Sequence, residues 1–184
     1  MSVDFFVVFL SLYTYSTNRK QIINFHFQIL NRQLIMNTLK QINQFLDNQP
    51  IAMVGVSRNP KKFGYTAFKE LKEKGMKLIP VNPEADEIMG EKSYHNVTAL
   101  PEEVKGIIIM TKKDKTASVV KEALAKGIKE IWIQQMADSK EALTELKGSD
   151  INFITGECIL MHYKPHSIHK FHRNLKKFFR MFPK

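Results

Sequence analysis

The sequence contains very little cysteine, with only Cys158 in a chain of 184 residues. A single thiol excludes an internal disulfide, and this favours a reducing, cytoplasmic compartment. The chain also lacks any apolar run of the roughly 20 residues that a transmembrane helix needs. With 43% hydrophobic and 25% charged residues, the composition is that of a globular protein with one sizeable core.

Acidic residues are missing from the C-terminal stretch 164–184, which holds seven Lys or Arg. Much of the formal net charge of +10 therefore lies in this tail. Cations mixed with aromatics are typical of an interfacial anchor. The helical spacing of the aromatics favours instead Phe side chains that dock on the domain and leave Lys and Arg in water. No motif for reading RNA or DNA accompanies the charge, so a nucleic-acid partner is not expected.

Residues 1–35 lack the periodicity that the rest of the chain shows. They contain an apolar burst from Phe5 to Leu10, but no basic n-region and no small-residue cleavage site, which disfavours a secretory signal. An orderly amphipathic pattern begins directly after Met36. We therefore predict that residues 1–35 are an extension upstream of a true start at Met36, and that 36–184 form one domain with a basic C-terminal helix. A weakly membrane-associating segment is the alternative for 1–35.

Five short apolar runs alternate with amphipathic helical patterns. The runs cover residues 51–56, 77–81, 107–110, 130–133 and 151–155, and the helical patterns begin at 37, 64, 116 and 139. Such alternation predicts a parallel sheet with right-handed crossovers. We expect an α/β, three-layer, Rossmann-like domain whose five-stranded parallel sheet has helices on both faces and the strand order 3-2-1-4-5. The polar segment 84–100 is predicted to be mostly loop.

The loop after the first predicted strand carries the strongest functional signal. A strand, a tight polar loop and a helix opening at Gly64 direct backbone N–H groups and a helix N-terminus at a phosphate. Gly55 and Ser57 need little side-chain volume, so a ligand can approach the main chain. The loop also supplies three cationic donors, Arg58, Lys61 and Lys62. The pattern predicts a nucleotide-phosphate cradle, with a plain turn between strand and helix as the alternative.

Two well-known phosphate-loop signatures are missing. No Gly-Lys-Ser/Thr sequence opens the helix, which excludes a Walker loop. Ser57 stands where the second Gly of a Gly-x-Gly-x-x-Gly loop belongs. The second strand ends in Asn82-Pro83 instead of the acidic residue that binds the ribose of NAD. An NAD site is therefore disfavoured, and a different anionic nucleotide is favoured.

Several short motifs occur together and in a fixed order. They are Gly55-Val-Ser-Arg-Asn-Pro60 with Phe63-Gly64, Pro80-Val-Asn-Pro83, Gly90 with Tyr94, Leu100-Pro101, Ile131-Trp-Ile-Gln-Gln135 and Gly156-Glu-Cys158. In this order they resemble the small stand-alone CoA-binding proteins, whose Rossmann-like domain is similar to the CoA-binding domain of the succinyl-CoA synthetase α subunit. The resemblance covers roughly Asn37 to Arg173.

The resemblance implies a CoA-type ligand lying across the carboxyl ends of the strands. The first loop would bind the diphosphate, the loops at Asn82 and Thr111 would flank the nucleotide and pantetheine, and Gln134 would help line the far side. The complete predicted set is Gly55, Ser57, Arg58, Lys61, Lys62, Phe63, Gly64, Asn82, Pro83, Thr111, Lys112, Gln134 and Gln135.

Only binding is carried over from the resemblance. The synthetase has a second domain with a phosphorylated His, and this chain has no room for one. We therefore expect binding of coenzyme A or an acyl-CoA, a small-molecule partner, without catalysis of the protein's own, and we assign no catalytic residue. The alternative is a Rossmann-scaffold enzyme that uses NAD(P) or a thiol centred on Cys158. The pathway, the acyl group and the oligomeric state are left open.

Cysteine and histidine near the C-terminus suggest two further sites. Cys158 and His162 resemble a thiol and its base, but no acid is obviously placed to orient His162, and a buried packing role is favoured for the thiol. The spacing of His166, His169 and His172 on a helix is one that can bind zinc or nickel. A partly solvated helix face is the favoured interpretation, and no metal site is predicted.

Overall fold

The computed structural model describes residues 37–165, 167–178 and 182–183. The strands are β1 (Ile51–Val54), β2 (Leu78–Val81), β3 (Glu87–Ile88), β4 (Glu91–Lys92), β5 (Gly106–Ile109), β6 (Glu130–Gln134) and β7 (Asn152–Glu157). The α-helices are α1 (Leu39–Asp47), α2 (Phe63–Glu73), α3 (Lys113–Ala125), α4 (Lys140–Leu146) and α5 (Ser167–Phe178), with a 3₁₀ turn over Ile159–Met161. The predicted extension over residues 1–35 lies outside the described residues.

Five parallel strands form the main sheet in the order β2-β1-β5-β6-β7. Alternate strand residues point to opposite faces, so each face has its own core. Met53 and Trp132 pack with α1 and α2 on one face, while Ala52 and Ile133 pack with α3 and α4 on the other. The prediction of a three-layer α/β, Rossmann-like domain is confirmed.

The predicted strand order 3-2-1-4-5 is wrong. The third predicted strand is β5, and it pairs with β1 instead of lying beyond β2, with Ile51 opposite Gly106. Strand β2 is at the edge because Pro80 has no N–H to offer a further neighbour. The carbonyl of Pro80 faces outward and accepts a hydrogen bond from the Tyr94 backbone at 3.0 Å. The opposite edge, along β7, is covered by Asn37, whose side chain bonds both backbone groups of Thr155.

Residues 84–100 contain more regular structure than the predicted loop. Strands β3 and β4 pair antiparallel, with Ile88 opposite Glu91. The two residues between them, Met89 and Gly90, both have positive φ, 52° and 77°, as a two-residue hairpin turn of type I′ requires. Strands of two residues are too short for an alternating pattern to reveal them in the sequence.

The C-terminal helix α5 carries Lys176 and Lys177 in its last turn, and its apolar side chains are arranged differently from the prediction. Phe182 docks as expected, with its ring stacked on His162 at 4.9 Å between centroids. Phe178 is 79% exposed, so the predicted docking of this Phe side chain is wrong, and Leu175 is 44% exposed on the same helix. No helix within the described part of the chain is long and apolar enough to cross a bilayer.

Candidate functional site

The candidate site lies where the strand order reverses. From β1 the chain moves to β2 on one side, and the later strands β5, β6 and β7 follow on the other. In open α/β sheets, ligands bind outside the carboxyl ends of the strands at this point. The loops after β1 and β5 lie side by side, since the Met110 N–H donates to the Val54 carbonyl at 2.9 Å. Gly55, at the start of the first loop, therefore lies against Met110 and Thr111.

Two glycines allow the first loop to pack closely. Gly55 has a φ of +92°, and a Cβ there would lie 2.9 Å from the Met110 carbonyl group. A Cβ on Gly64 would lie 2.5 Å from the Gly55 carbonyl oxygen. The start of α2 thus packs directly against the residue that follows β1. In the sequence, the small residues of this loop indicate ligand approach and do not predict this packing.

Short polar side chains hold the loop in one conformation. Ser57 Oγ accepts a hydrogen bond from the Asn59 N–H at 3.0 Å, and Asn59 Oδ1 accepts one from the Lys61 N–H at 2.9 Å. The Asn59 carbonyl accepts a further bond from the Lys62 N–H at 3.0 Å. Asn59 was absent from the predicted site. Its signal is the Ser-x-Asn spacing, which favours side-chain-to-backbone turns.

The starts of α2 and α3 share an unusual property. Lys62 and Lys112 stand at the two N-cap positions, and neither side chain caps its helix. By contrast, Thr38 caps α1 and Ser139 caps α4. A helix start without a side-chain cap keeps N–H groups available to an anion at its positive end. The cations predicted for the site, Arg58, Lys61, Lys62 and Lys112, are all exposed beside these two starts.

Asn82 joins the loops after β1 and β2. Its Nδ2 donates to the Val56 carbonyl at 2.7 Å, and its Oδ1 accepts from the Glu84 N–H at 2.7 Å. Both ends of the carboxamide therefore bond to main-chain groups, so Asn82 connects the two loops next to Ser57. Pro83 is exposed next to it, and its carbonyl lies 3.1 Å from His95 Nδ1.

Thr116 connects the loops after β5 and β6. Helix α3 begins at Lys113, so Thr116 lies within its first turn and not at the helix start that was predicted. The buried hydroxyl of Thr116 donates to the Ala137 carbonyl at 2.7 Å and lies 3.0 Å from Thr111 Oγ1. A cleft of about 420 Å³, whose lining includes Asp114 and Ser139, opens between the starts of α3 and α4. No pattern in the sequence indicates this role of Thr116.

The two glutamines after β6 have different environments. Gln134 is only 4% exposed, and its Oε1 accepts a hydrogen bond from the Ile159 N–H at 3.2 Å. Gln135 is exposed, while its backbone N–H donates to the Glu157 carbonyl. Gln134 therefore positions the segment after β7, and Gln135 is the glutamine with an accessible side chain.

A buried ionic cluster at the end of β7 was not predicted from the sequence. Glu157 Oε2 lies 3.0 Å from His162 Nε2, and Lys176 Nζ donates to both Glu157 oxygens at 2.9 and 2.8 Å. Burial raises the pKa of Glu157, but the hydrogen bonds from His162 and Lys176 outweigh it and leave the pKa lowered. The cluster fastens α5 to the end of β7.

This cluster also bears on the thiol and metal alternatives. Contrary to the prediction from the sequence, an acidic residue, Glu157, does orient His162. Cys158 is buried, with 8% exposure. His169 lies 3.7 Å from Glu70 on α2. His166 lies outside the described residues. Among the residues that the structure describes, no three His, Cys, Asp or Glu side chains converge as metal ligands.

Known proteins resemble this chain in sequence and in structure. A family model described as CoA binding domain matches residues 49–164. The chain is 39% identical over 93 residues to subunit alpha of the ADP-forming acetate–CoA ligase II of Pyrococcus furiosus, covering 50% of this chain and 20% of that subunit. It is 28% identical over 109 residues to the uncharacterized protein YneT of Bacillus subtilis, covering 59% of this chain and 81% of YneT.

The solved structures add small proteins of similar size. A conserved hypothetical protein of Pyrococcus furiosus superposes with a TM-score of 0.59 and 38% identity, covering 61% of this chain and 97% of that one. A hypothetical protein of Pyrococcus horikoshii superposes with a TM-score of 0.63 and 28% identity, covering 67% of this chain and 88% of that one. The chain thus matches one fifth of the ligase subunit but most of the length of these small proteins.

Proposed function

Because the chain belongs to the CoA binding domain family, we propose that it binds coenzyme A, free or acylated, at the carboxyl ends of β1 and β5. The observation that carries the proposal is the pair of helix starts without side-chain caps, at Lys62 and Lys112, which flank a loop tightened by Gly55 and Gly64. Two positive helix ends in one crevice suit a ligand with several phosphates.

The residues present fit such a ligand. Coenzyme A carries a diphosphate and a separate ribose phosphate, so it needs several donors spread over one surface. Ser57 is half-buried in the turn, and Arg58, Lys61 and Lys62 are exposed around it. Across the crevice, Lys112 supplies a further cation at the start of α3. Charge-assisted hydrogen bonds from these groups are the strong kind.

Within this proposal the predicted residues have two kinds of role. Ser57, Arg58, Lys61, Lys62 and Lys112 would contact phosphates directly. Gly55, Gly64, Asn82 and Gln134 would position the loops, since their contacts are made within the protein. Phe63, which is 50% exposed, together with Pro83, Thr111 and Gln135, would line the path of the nucleotide and pantetheine.

Binding without catalysis remains part of the proposal. The ligase subunit extends far beyond the matched region, so its activity does not follow from the match. The thiol of Cys158 is buried, and His162 is held by Glu157 in the ionic cluster. These contacts favour a packing role for Cys158 over a nucleophilic one.

The test is a calorimetric titration of the full chain with coenzyme A, with dephospho-coenzyme A and with NAD. We expect coenzyme A to bind most tightly, dephospho-coenzyme A more weakly because one phosphate is missing, and NAD weakest. Heating the purified protein and identifying any released nucleotide gives an independent readout. NAD binding more tightly than coenzyme A, or no binding of coenzyme A at all, would refute the proposal.

A further inference from the structure

Helix α5 carries an exposed apolar stripe. Phe171, Leu175 and Phe178 are 62%, 44% and 79% exposed. Their spacing of four and then three residues places them on one face of the helix. Helices on the surface of a globular protein usually turn such a stripe toward the core. In α5 the stripe is turned toward solvent.

The opposite face of α5 is polar and is the one that contacts the domain. Lys176 bonds Glu157 at the end of β7, and His169 lies 3.7 Å from Glu70 on α2. Arg173 is half-buried on the same face. These three residues are three or four positions apart, so they form one continuous polar face. The ionic contacts therefore fix the orientation in which the apolar stripe is presented.

The charge around the stripe selects the kind of partner. The stretch 164–184 has seven Lys or Arg and no Asp or Glu. Lys170 and Lys177 are exposed on α5, and Lys177 Nζ lies 5.1 Å from the centre of the Phe182 ring. A second copy of this chain would bring two such cationic helices together and is disfavoured by repulsion. A surface with anionic groups on the outside and an apolar layer beneath them complements both the Lys and Arg residues and the apolar stripe.

We infer that α5 docks the domain on an anionic lipid bilayer, with Phe171 and Leu175 inserted at the headgroup level and Lys170 near lipid phosphates. An interfacial helix combines these properties: an apolar face with Phe and Leu, adjacent Lys and Arg, and insufficient length and hydrophobicity to span the bilayer. The contact is reversible and depends on salt, because lipid charge contributes part of the attraction.

Cosedimentation of the full chain with vesicles tests this inference. Vesicles of phosphatidylcholine mixed with phosphatidylserine should retain the protein at low salt, and vesicles of phosphatidylcholine alone should retain much less. Replacing both Phe171 and Leu175 by Ser should abolish retention. The matched control is Leu39→Ser, which removes another exposed apolar side chain, 39% exposed, on α1.

A charge variant separates lipid binding from nonspecific adhesion. Lys170→Gln should weaken binding to the mixed vesicles about fivefold, the contribution of one cation near an anionic surface. Lys147→Gln, an exposed lysine just after α4, should have no effect. Unchanged melting temperature and coenzyme A binding in each variant would show that the fold is retained.

Three outcomes would overturn the inference. The first is failure of the wild-type chain to bind mixed vesicles, which would point to a protein partner for the stripe. The second is binding that survives the double Ser variant, which would place the lipid contact elsewhere in the chain. The third is concentration-dependent dimerisation abolished by the same double variant, which would assign the stripe to a second copy.

Discussion

The α-carbon of Gly64 lies so close to the Gly55 carbonyl oxygen that an added methyl group would sit 2.5 Å from it. Gly55 directly follows β1 and Gly64 lies in the first turn of α2, and both elements are packed into the core. Neither glycine can move away from the other without a shift of β1 or α2. This contact joins the stability of the fold to the shape of the candidate site.

Gly64→Ala is therefore expected to lower the free energy of unfolding by about 1–3 kcal/mol, the usual cost of overpacking. Coenzyme A affinity should fall as well, because α2 moves relative to the loop. Urea unfolding and calorimetry measure the two effects. Lys69→Ala, an exposed substitution on the same helix, is the control. Wild-type stability in Gly64→Ala would show that the contact is less constrained than the structure indicates.

Ser57→Tyr should abolish coenzyme A binding with little change in melting temperature. The tyrosine ring would fill the space where a ligand approaches the main chain, while Ser57 itself contributes nothing to the core. Ser57→Ala separates bulk from hydrogen bonding, because it removes only the acceptor for the Asn59 N–H. We expect it to weaken binding by about 0.5–1.5 kcal/mol. Normal coenzyme A binding by Ser57→Tyr would mean that the loop is not the phosphate site.

Arg58→Ala should weaken coenzyme A binding by about 1–3 kcal/mol, the range for hydrogen bonds to charged groups. The loss should shrink as salt is added, since Arg58 is exposed and its charge is screened. Titrations at low and high ionic strength measure both effects. Lys129→Ala removes an exposed cation just before β6, at the amino ends of the strands and so opposite the candidate site, and should leave binding unchanged. Equal losses in the two variants would indicate a general charge effect instead of a site.

Glu157 should make the stability of the domain sensitive to acid. Its pKa is lowered in the folded state, so the ionised carboxylate stabilises the fold above its unfolded pKa of about 4.3. This stabilisation is lost as the pH falls through the lowered folded value. The difference in unfolding free energy between wild type and Glu157→Gln should therefore be constant near neutral pH and shrink below about pH 4.

Urea unfolding over a range of pH measures this difference. Glu103→Gln, which changes an exposed carboxyl group, should not alter the pH dependence. A difference between wild type and Glu157→Gln that stays constant into acid would mean that His162 and Lys176 do not stabilise the ionised carboxylate.

The fold class followed from the sequence because apolar runs and helical patterns are local properties. The strand order required a comparison between strands. A continuous apolar run at Ile107–Ile109 is typical of a central strand, and Pro80 is typical of an edge strand. Giving these two signals full weight would have placed β5 beside β1, where the structure has it.

The candidate site was predictable where backbone geometry demands a residue type, and less so where side chains choose between partners. The φ of Gly55 and the steric contact at Gly64 leave few alternatives, so their pattern was informative. The sequence of two consecutive glutamines does not show which of them is buried. Gln134 is the buried one because its side chain accepts a hydrogen bond from the Ile159 N–H. The polar face of α5 turns inward because Glu157, far away in the sequence, is buried there.

The two borders of the main sheet have a consequence for the behaviour of the protein in concentrated solution. An open strand border offers a row of unpaired backbone groups to which another chain can add, and this is a common start of aggregation. Here the border at β2 lacks a donor at Pro80 and is bonded by Tyr94, while Asn37 occupies both backbone groups of Thr155 at the other border. Asn37→Ala would free both backbone groups of Thr155 and is expected to increase the formation of sheet-rich aggregates on storage.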